Sequence, residues 1–248
     1  MGGFAVISGV DRNPRELLAR LRREGVVRSA TDLGSGERRA ALPTGVEGLD
    51  GALGGGLPRG RIVEVVGPVS SGRTAFLFRV LAAATSRGEQ TALIDAADAF
   101  DPDAAALAGV KLERLLWVRP EKTLDAFRAT DLVLEAGGFG VVAVDSAQRT
   151  AHSAQRLPSP WPRLSLRAER SGSVLLSIGE RREAGTFAAV VLGLRRGTAR
   201  WKGGDAAPLL LERLDVHIDI LRTKVGGTAG PVRWTGKPGG VVRDPHAA

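Results

Sequence analysis

The chain has 248 residues, of which 43% are hydrophobic, so it is long enough to bury the core of one large domain. It contains no cysteine and only three histidines, which excludes disulfides, thiol catalysis and cysteine-ligated zinc and argues against a protein-built metal site. The net charge of +8 lies entirely in the C-terminal part: residues 1–150 hold 19 basic and 19 acidic residues, and residues 151–248 hold 16 and 8.

The N-terminus has neither the basic start nor the long apolar centre of a signal peptide. No run of about 18 apolar residues occurs, which is the length that a membrane-spanning helix needs. We therefore expect a cytoplasmic protein without a membrane partner.

The first predicted element is a short amphipathic helix at residues 14–24. Asn13 suits the N-cap, and Pro14 suits the first turn. Its apolar stripe consists of Leu17, Leu18 and Leu21. Periodicity leaves open whether this helix packs on its own domain or docks on a partner subunit. We assign residues 1–40, the helix and its polar connector, as an assembly element.

From Arg61 onward, short β-rich runs alternate with helical stretches, which predicts a parallel sheet flanked by helices and an α/β fold class. The runs are RIVEVV, TALIDA, LLWVRP, VVAVDS and SVLLSI. Between Phe187 and Lys224, strand-like segments follow one another without a helix, which predicts an antiparallel extension. The core domain is therefore assigned to residues 41–225. The Gly- and Pro-rich tail at residues 226–248 is expected to be flexible and to lack fixed structure.

The segment GPVSSGRT lies between the run RIVEVV and a predicted helix, and it has the outline of a phosphate-binding loop, G-x-x-x-x-G-K-[ST]. In such a loop, backbone N–H groups and the helix N-terminus face a phosphate, and Thr74 would hold Mg²⁺. Asp145 ends a later apolar strand, where a second acidic residue holds the metal through water. The candidate nucleotide-binding residues are Gly67, Ser70, Ser71, Gly72, Arg73, Thr74 and Asp145.

The chain from Leu42 to Ser146 resembles the nucleotide-binding core of the RecA family. The resemblance lies in ALPTGVEGLDGALGGGLPRGRIVEVVGPVSSGRT, LIDAADAFDPDAAALAGV and VVAVDS, and it continues more loosely to the strand DVHIDILR. RecA-family domains have a parallel sheet flanked by helices, bind ATP between subunits and form filaments on single-stranded DNA. The resemblance therefore implies a RecA-like P-loop core.

Four departures from the RecA pattern argue against a working ATPase. Arg73 replaces the loop lysine, and its planar fork cannot occupy the same point as an ammonium group. Ala97 stands where the resemblance places the glutamate that activates water, an assistance that typically contributes about 10²–10⁴-fold. Ala104 stands where a tyrosine stacks on adenine, and the two loops that grip DNA are short. We expect no catalytic residues and weak or absent binding of ATP and Mg²⁺. Arg73 is expected to turn out of the loop or to fill the phosphate site with its own guanidinium, bonding to Asp145 or Glu64.

A RecA-like chain of this length with eroded catalytic motifs resembles the ImuA family, whose relatives are also labelled SulA-like. The resemblance implies a non-hydrolysing adaptor in the SOS response, DNA-damage mutagenesis and translesion synthesis. RecA, ImuB and an error-prone replicative-type DNA polymerase are its implied partners. Two alternatives stay open: a DNA-dependent ATPase that uses Glu64 or Asp98 as base, and a regulator that blocks RecA filaments or the division ring.

The basic C-terminal part is compatible with two interpretations. It could contact DNA phosphates or an acidic protein, or it could reflect coding bias, because only five of the 35 basic residues are lysine. Any DNA binding is expected to be weak, independent of sequence and sensitive to salt. The candidate DNA- or partner-binding residues are Arg181, Arg182, Arg195, Arg196, Arg200 and Lys202.

Overall fold

The computed structural model describes residues 5–8, 41–121, 123–145, 159–204, 207–225 and 231–236. The strands in these ranges are β1 (Ala5–Ser8), β2 (Ile62–Val66), β3 (Gln90–Asp95), β4 (Leu115–Arg119), β5 (Phe139–Asp145), β6 (Val174–Gly179), β7 (Ala188–Gly204), β8 (Ala207–Thr223) and β9 (Pro231–Gly236). The helices are α1 (Glu47–Ala52), α2 (Arg73–Ser86), α3 (Pro102–Leu107), α4 (Thr123–Ala136) and α5 (Trp161–Ser171), and the short 3₁₀ turns are Leu112–Arg114 and Gly185–Phe187.

These strands form a single sheet in the order β1-β4-β3-β5-β6-β2-β7-β8-β9. Neighbouring strands are parallel from β1 to β7, and β7, β8 and β9 pair antiparallel. The structure therefore confirms the α/β fold class with a mainly parallel sheet and an antiparallel C-terminal extension. The carboxyl ends of β2, β6 and β5 meet at one edge, which is where open α/β sheets bind ligands.

Helices cover the two faces of the sheet with separate apolar clusters. On one face, Phe76 and Leu81 of α2 are fully buried together with Leu49 of α1. On the other face, Leu134 of α4 and Leu164 of α5 are buried against the same strands. Burying an apolar side chain of this size contributes about 1.5–3 kcal/mol. The two clusters therefore hold the sheet rigidly beneath the loops at its carboxyl edge.

The C-terminal tail differs from its sequence-based prediction. Residues 231–236 form β9 and pair with β8, although the composition of residues 226–248 predicts no fixed structure. Val232 is 9% exposed, and the Trp234 ring meets the edge of the Phe76 ring at 6.2 Å. The prediction was wrong for this stretch because two apolar side chains at alternate positions bury themselves against the core.

The N-terminal segment also contributes to the sheet. β1 pairs in parallel with β4, so part of residues 1–40 belongs to the same sheet as the core, which the sequence analysis did not predict. The predicted helix at residues 14–24, with Leu17, Leu18 and Leu21, lies outside the described residues. None of the helices in the described ranges has the length and apolar character needed to cross a membrane.

Candidate functional site

The loop Gly67–Thr74 joins the end of β2 to the start of α2, as the sequence predicts. A Cβ atom at Gly67 would lie 2.4 Å from a carbonyl oxygen of β7, and one at Gly72 would lie 2.6 Å from a methyl group of β8. Gly72 and Ser70 both have left-handed backbone, with φ of 94° and 62°. Because only glycine fits these close approaches, the sequence retains the tight turn of a phosphate-binding loop.

Two side chains of the loop each have a buried hydrogen-bond donor. Ser71 Oγ and Arg73 Nη1 have no hydrogen-bond partner in the part of the chain that the structure describes. Ser71 is 1% exposed, and the Arg73 side chain is 11% exposed. An unpaired buried donor typically costs about 1–3 kcal/mol. These two donors, with the loop backbone and the exposed Thr74, are the groups that would hold a phosphate.

Arg73 has a different partner from the one that the sequence predicts. Its Nη2 lies 4.0 Å from Oε1 of Glu180, and neither Asp145 nor Glu64 pairs with it. Glu180 directly follows β6, the parallel neighbour of β2, so its carboxylate reaches the loop from the adjacent strand. The predicted bond to Asp145 or Glu64 was therefore wrong. Sequence reasoning missed Glu180, although its position directly after the apolar run SVLLSIG was a usable signal.

Glu64, in the centre of β2, bonds this strand to the connection between β6 and β7. The side chain is 1% exposed, and Oε1 accepts hydrogen bonds of 2.7 Å from the backbone N–H groups of Glu183 and Ala184. These donors belong to the connection between β6 and β7, the same short segment that carries Glu180. The carboxylate thus anchors this connection to the strand that precedes the phosphate-binding loop. The second oxygen, Oε2, is buried and has no hydrogen-bond partner among the described residues.

Ala97, at the position where the RecA resemblance places a water-activating glutamate, follows the end of β3. Ala97 is half-buried two residues after Asp95, and its methyl group offers no proton acceptor. The neighbouring Asp98 is held by Arg119 through bonds of 2.8 and 3.1 Å, which raise the pKa of that guanidinium. Ala104 packs on the apolar core at α3. The second candidate base of the ATPase hypothesis is therefore already paired with an arginine.

Asp145 lies at the carboxyl edge of the sheet, as the sequence predicts. It is the last residue of β5 and is half-buried. In the sheet register it pairs with Ile178 of β6, and the next residue of β6, Gly179, pairs with Val66 of β2. One strand therefore separates Asp145 from the strand that carries the loop. Across the described ranges, no cluster of three His, Asp or Glu side chains is arranged to hold a metal ion.

The predicted basic residues do not form one surface. Arg181 and Arg182 are exposed in the connection after β6, while the other four lie on β7. Arg195 and Arg196 are adjacent in a strand and so lie on opposite faces, and Arg195 is paired with Asp219 at 2.8 Å. The structure thus divides the set between a loop and two faces of a sheet.

Comparison with known proteins places this site in a family. The RecA N-terminal domain family matches residues 22–155, more than half of the chain. Protein RecA of Clavibacter michiganensis subsp. michiganensis is 42% identical over 132 residues, which is 52% of this chain and 36% of the relative. Protein RecA of Laribacter hongkongensis is 46% identical over 106 residues, 42% of this chain and 30% of the relative. The chain thus spans about a third of the length of the curated relatives it matches.

The fold extends further than the sequence match. The RadB recombinase structure superposes with a TM-score of 0.56 and 18% identity, covering 77% of this chain and 94% of RadB. At this level of identity the likeness concerns the fold alone. Together with the loop geometry and the family match over residues 22–155, it leads to one conclusion. The chain belongs to the RecA N-terminal domain family.

Proposed function

We propose that this chain is a RecA-like adaptor that does not hydrolyse ATP and acts in DNA-damage-induced mutagenesis and translesion synthesis. The observation that carries the proposal is the pairing of Arg73 with Glu180, together with an alanine, Ala97, at the position where the RecA resemblance places the general base. The loop has kept its shape, while its cation faces a protein carboxylate and the general base is missing.

The remaining carboxylates near the loop support the same interpretation. Glu64 is fixed by two backbone N–H groups, and Asp98 is fixed by Arg119. A general base must reach the attacking water and be free to take its proton, and its assistance typically contributes about 10²–10⁴-fold. With the RecA-type glutamate replaced by alanine, turnover is expected to fall by this factor before the loss of the lysine is considered.

The proposed partners are RecA, ImuB and an error-prone replicative-type DNA polymerase. An adaptor needs a rigid scaffold that presents docking surfaces, and the nine-stranded sheet with helices on both faces supplies one. Filament-forming RecA-like subunits dock on one another through elements outside the core, and the predicted helix at residues 14–24 is our candidate for this role. The proposal places the chain in the cytoplasm, beside DNA.

One observation favours a second candidate, a chain that still binds ATP and Mg²⁺ weakly. The buried, unpartnered donors of Ser71 and Arg73 are groups that a phosphate would satisfy. The loop backbone would hold the phosphates, and Thr74 and Asp145 would hold Mg²⁺, whose charge would neutralise the nucleotide. Binding of this kind would make the nucleotide a structural ligand of the adaptor and would not require turnover.

The proposal is tested by complementation in cells that lack the chain. The double variant Arg73→Ala/Asp145→Asn removes the charge of the loop and that of the predicted metal-binding aspartate, and we expect it to keep the damage-induced mutation frequency of the unaltered protein. The matched variant Leu17→Asp/Leu21→Asp changes the proposed docking helix, and we expect it to lose mutagenesis. Equal protein levels are verified by immunoblot. Loss of mutagenesis in this variant would instead indicate that the function depends on a bound nucleotide.

A further inference from the structure

Strand β9 forms one edge of the sheet. It is last in the strand order, and within the described ranges it pairs with β8 alone. Every second N–H and C=O group of an edge strand points away from its neighbour and can pair with another chain. Pro231 has no N–H to donate, so the open part of the edge is residues 232–236. A strand of this length spans about 17 Å, which suits a short extended peptide.

On the helix-covered face, the surface beside this edge is apolar. Val232 is 9% exposed, and Trp234 is half-buried with its ring against Phe76. Helix α1 passes beneath the edge at Gly48, where an added Cβ atom would lie 3.1 Å from a methyl group of Val232. A strand that paired with β9 would place every second side chain beside this apolar surface.

The opposite face beside the edge is basic. Successive side chains alternate along a strand, so this face of β9 carries Arg233 and Thr235. Arg233 pairs in register with His217 of β8, and Arg213 donates a hydrogen bond of 2.9 Å to Thr235. These four side chains line a cavity of about 380 Å³. The cavity thus lies beside the edge and is bordered by three basic side chains.

The acidic residues on the basic side are already engaged. Asp219 pairs with Arg195 at 2.8 Å, and Asp215 accepts hydrogen bonds from Thr235 and Arg213 at 2.9 and 3.0 Å. These bonds hold the pKa of Asp215 below its ordinary value, so it stays ionised. Neither carboxylate is therefore available to neutralise a further arginine.

Arg233 is in excess on this face. It is exposed and forms no ion pair among the described residues, and the same holds for Arg200 on β7. Opposite charges at facing positions of adjacent strands attract, and like charges there repel. The charge at the edge therefore favours acidic side chains on this face of an added strand.

We propose that β9 binds an extended peptide in which acidic and apolar residues alternate, by adding it to the sheet as a further strand. The peptide backbone would pair with residues 232–236, its apolar side chains would lie beside Trp234, and its acidic side chains would lie beside Arg233. A nucleic acid could meet the same arginine but has no row of N–H and C=O groups to pair with the edge. This site is separate from the loop Gly67–Thr74, and the proposal does not rest on the adaptor role.

The first test compares two labelled heptapeptides that each contain four glutamates and three valines. In one peptide the two residue types alternate, and in the other all the glutamates precede the valines. Fluorescence anisotropy with the full chain measures both affinities. We expect the alternating peptide to bind roughly tenfold more tightly, because it alone presents one residue type to each face of the sheet. Equal affinities would overturn the proposal, because charge alone would then account for binding.

A charge reversal tests the role of Arg233. Arg233→Glu replaces an attraction by a repulsion, and an exposed ion pair changes a binding constant by up to about fivefold. We therefore expect the affinity for the alternating peptide to fall roughly five- to 25-fold. The control variant Arg170→Glu makes the same change at an exposed position of α5 and should bind almost normally. Equal losses in the two variants would contradict the proposal.

Amide hydrogen exchange of the unaltered chain tests strand addition without a variant. The alternating peptide should slow exchange in residues 231–236, because the outward N–H groups gain acceptors, and should leave β1 at the other edge unchanged. Binding without this protection, or equal protection of β1, would overturn the proposal. An oligothymidylate that protects residues 231–236 equally well would also overturn it, because the ligand would then be a nucleic acid.

Discussion

At the residue scale, one substitution changes what the loop can do. A loop lysine would place a compact ammonium group against a phosphate, whereas Arg73 directs a planar group toward Glu180 on the neighbouring strand. The Glu180 carboxylate is negatively charged, as is the phosphate that a loop of this shape binds. A bound nucleotide phosphate would therefore compete with this carboxylate for one guanidinium.

This competition predicts weak nucleotide binding that one change should improve. We expect calorimetry with ATP and Mg²⁺ to give an affinity weaker than micromolar for the unaltered chain. Glu180→Gln removes the competing charge, and because a partly exposed pair at 4.0 Å contributes about 0–1 kcal/mol, the affinity should rise by up to about fivefold. Glu183→Gln, three residues further along the same connection, serves as the control. Micromolar or tighter binding by the unaltered chain would contradict the account of the loop.

Glu64 allows a separate test of how the connection after β6 is held. Glu64→Ala would leave two buried N–H groups without an acceptor, each typically costing about 1–3 kcal/mol. We expect the free energy of unfolding in urea to fall by about 2–6 kcal/mol in total. Glu64→Gln keeps one acceptor oxygen and should lose less. A change of less than about 1 kcal/mol in the alanine variant would show that water replaces the carboxylate.

The residue types of the loop could be predicted from the sequence, but their partners could not. Spacing alone identified Gly67, Gly72 and Asp145, because backbone geometry determines where glycine and a strand-terminal aspartate must lie. The pairing of Arg73 with Glu180 depends on which strand lies beside β2. That order is a property of the sheet and cannot be obtained from local periodicity.

At the element scale, the antiparallel C-terminal strands β7, β8 and β9 extend the parallel sheet and present two faces of different character. β7 and β8 are each 17 residues long, and β7 is exposed or half-buried over residues 195–203. One face of this extension packs on Phe76 of α2 through Trp234, and the other carries Arg195, His217 and Arg233, which are paired in register.

The packing role of β9 can be measured with one side chain. Trp234→Ala removes a half-buried ring that meets Phe76 edge-to-face, and we expect the free energy of unfolding to fall by about 2–4 kcal/mol. Trp234→Phe keeps an aromatic ring at this position and should lose clearly less. If neither variant changed the denaturation curve of the unaltered chain, β9 would not pack on the core.

The parallel strands could be predicted from the sequence, whereas both edge strands could not. Central strands such as β2 are buried along their whole length and therefore appear as continuous apolar runs. β9 pairs on one side only and begins at Pro231, which cannot donate to a ladder, so its segment resembles a loop in composition. β1 has four residues and is too short for a periodicity argument.

At the scale of the whole molecule, the chain combines a retained RecA-like scaffold with an altered site. The family match covers residues 22–155, and the RadB likeness covers 77% of the chain, so the scaffold extends beyond the recognisable sequence. The altered residues Arg73, Ala97 and Ala104 all lie inside the matched part. The changes therefore concern the chemistry of the site and leave its supporting sheet in place.

The assembly role assigned to residues 14–24 predicts a separation of binding from stability. Leu17→Asp/Leu21→Asp should abolish capture of RecA on a surface-plasmon-resonance chip while leaving the thermal unfolding midpoint nearly unchanged. Leu107→Asp, a leucine that is 72% exposed at the end of α3, is the matched control and should bind RecA normally. A large fall in the midpoint of the double variant would mean that the leucines belong to the core.

The central claim is that this RecA-like chain does not turn over ATP, and steady-state ATP hydrolysis tests it most directly. The measurement uses the full chain with Mg²⁺, with and without single-stranded DNA, beside the variant Asp145→Ala. We predict phosphate release at the level of the buffer blank, unaffected by DNA and identical in the variant. DNA-stimulated release that disappears in Asp145→Ala would contradict the account and identify the chain as a DNA-dependent ATPase.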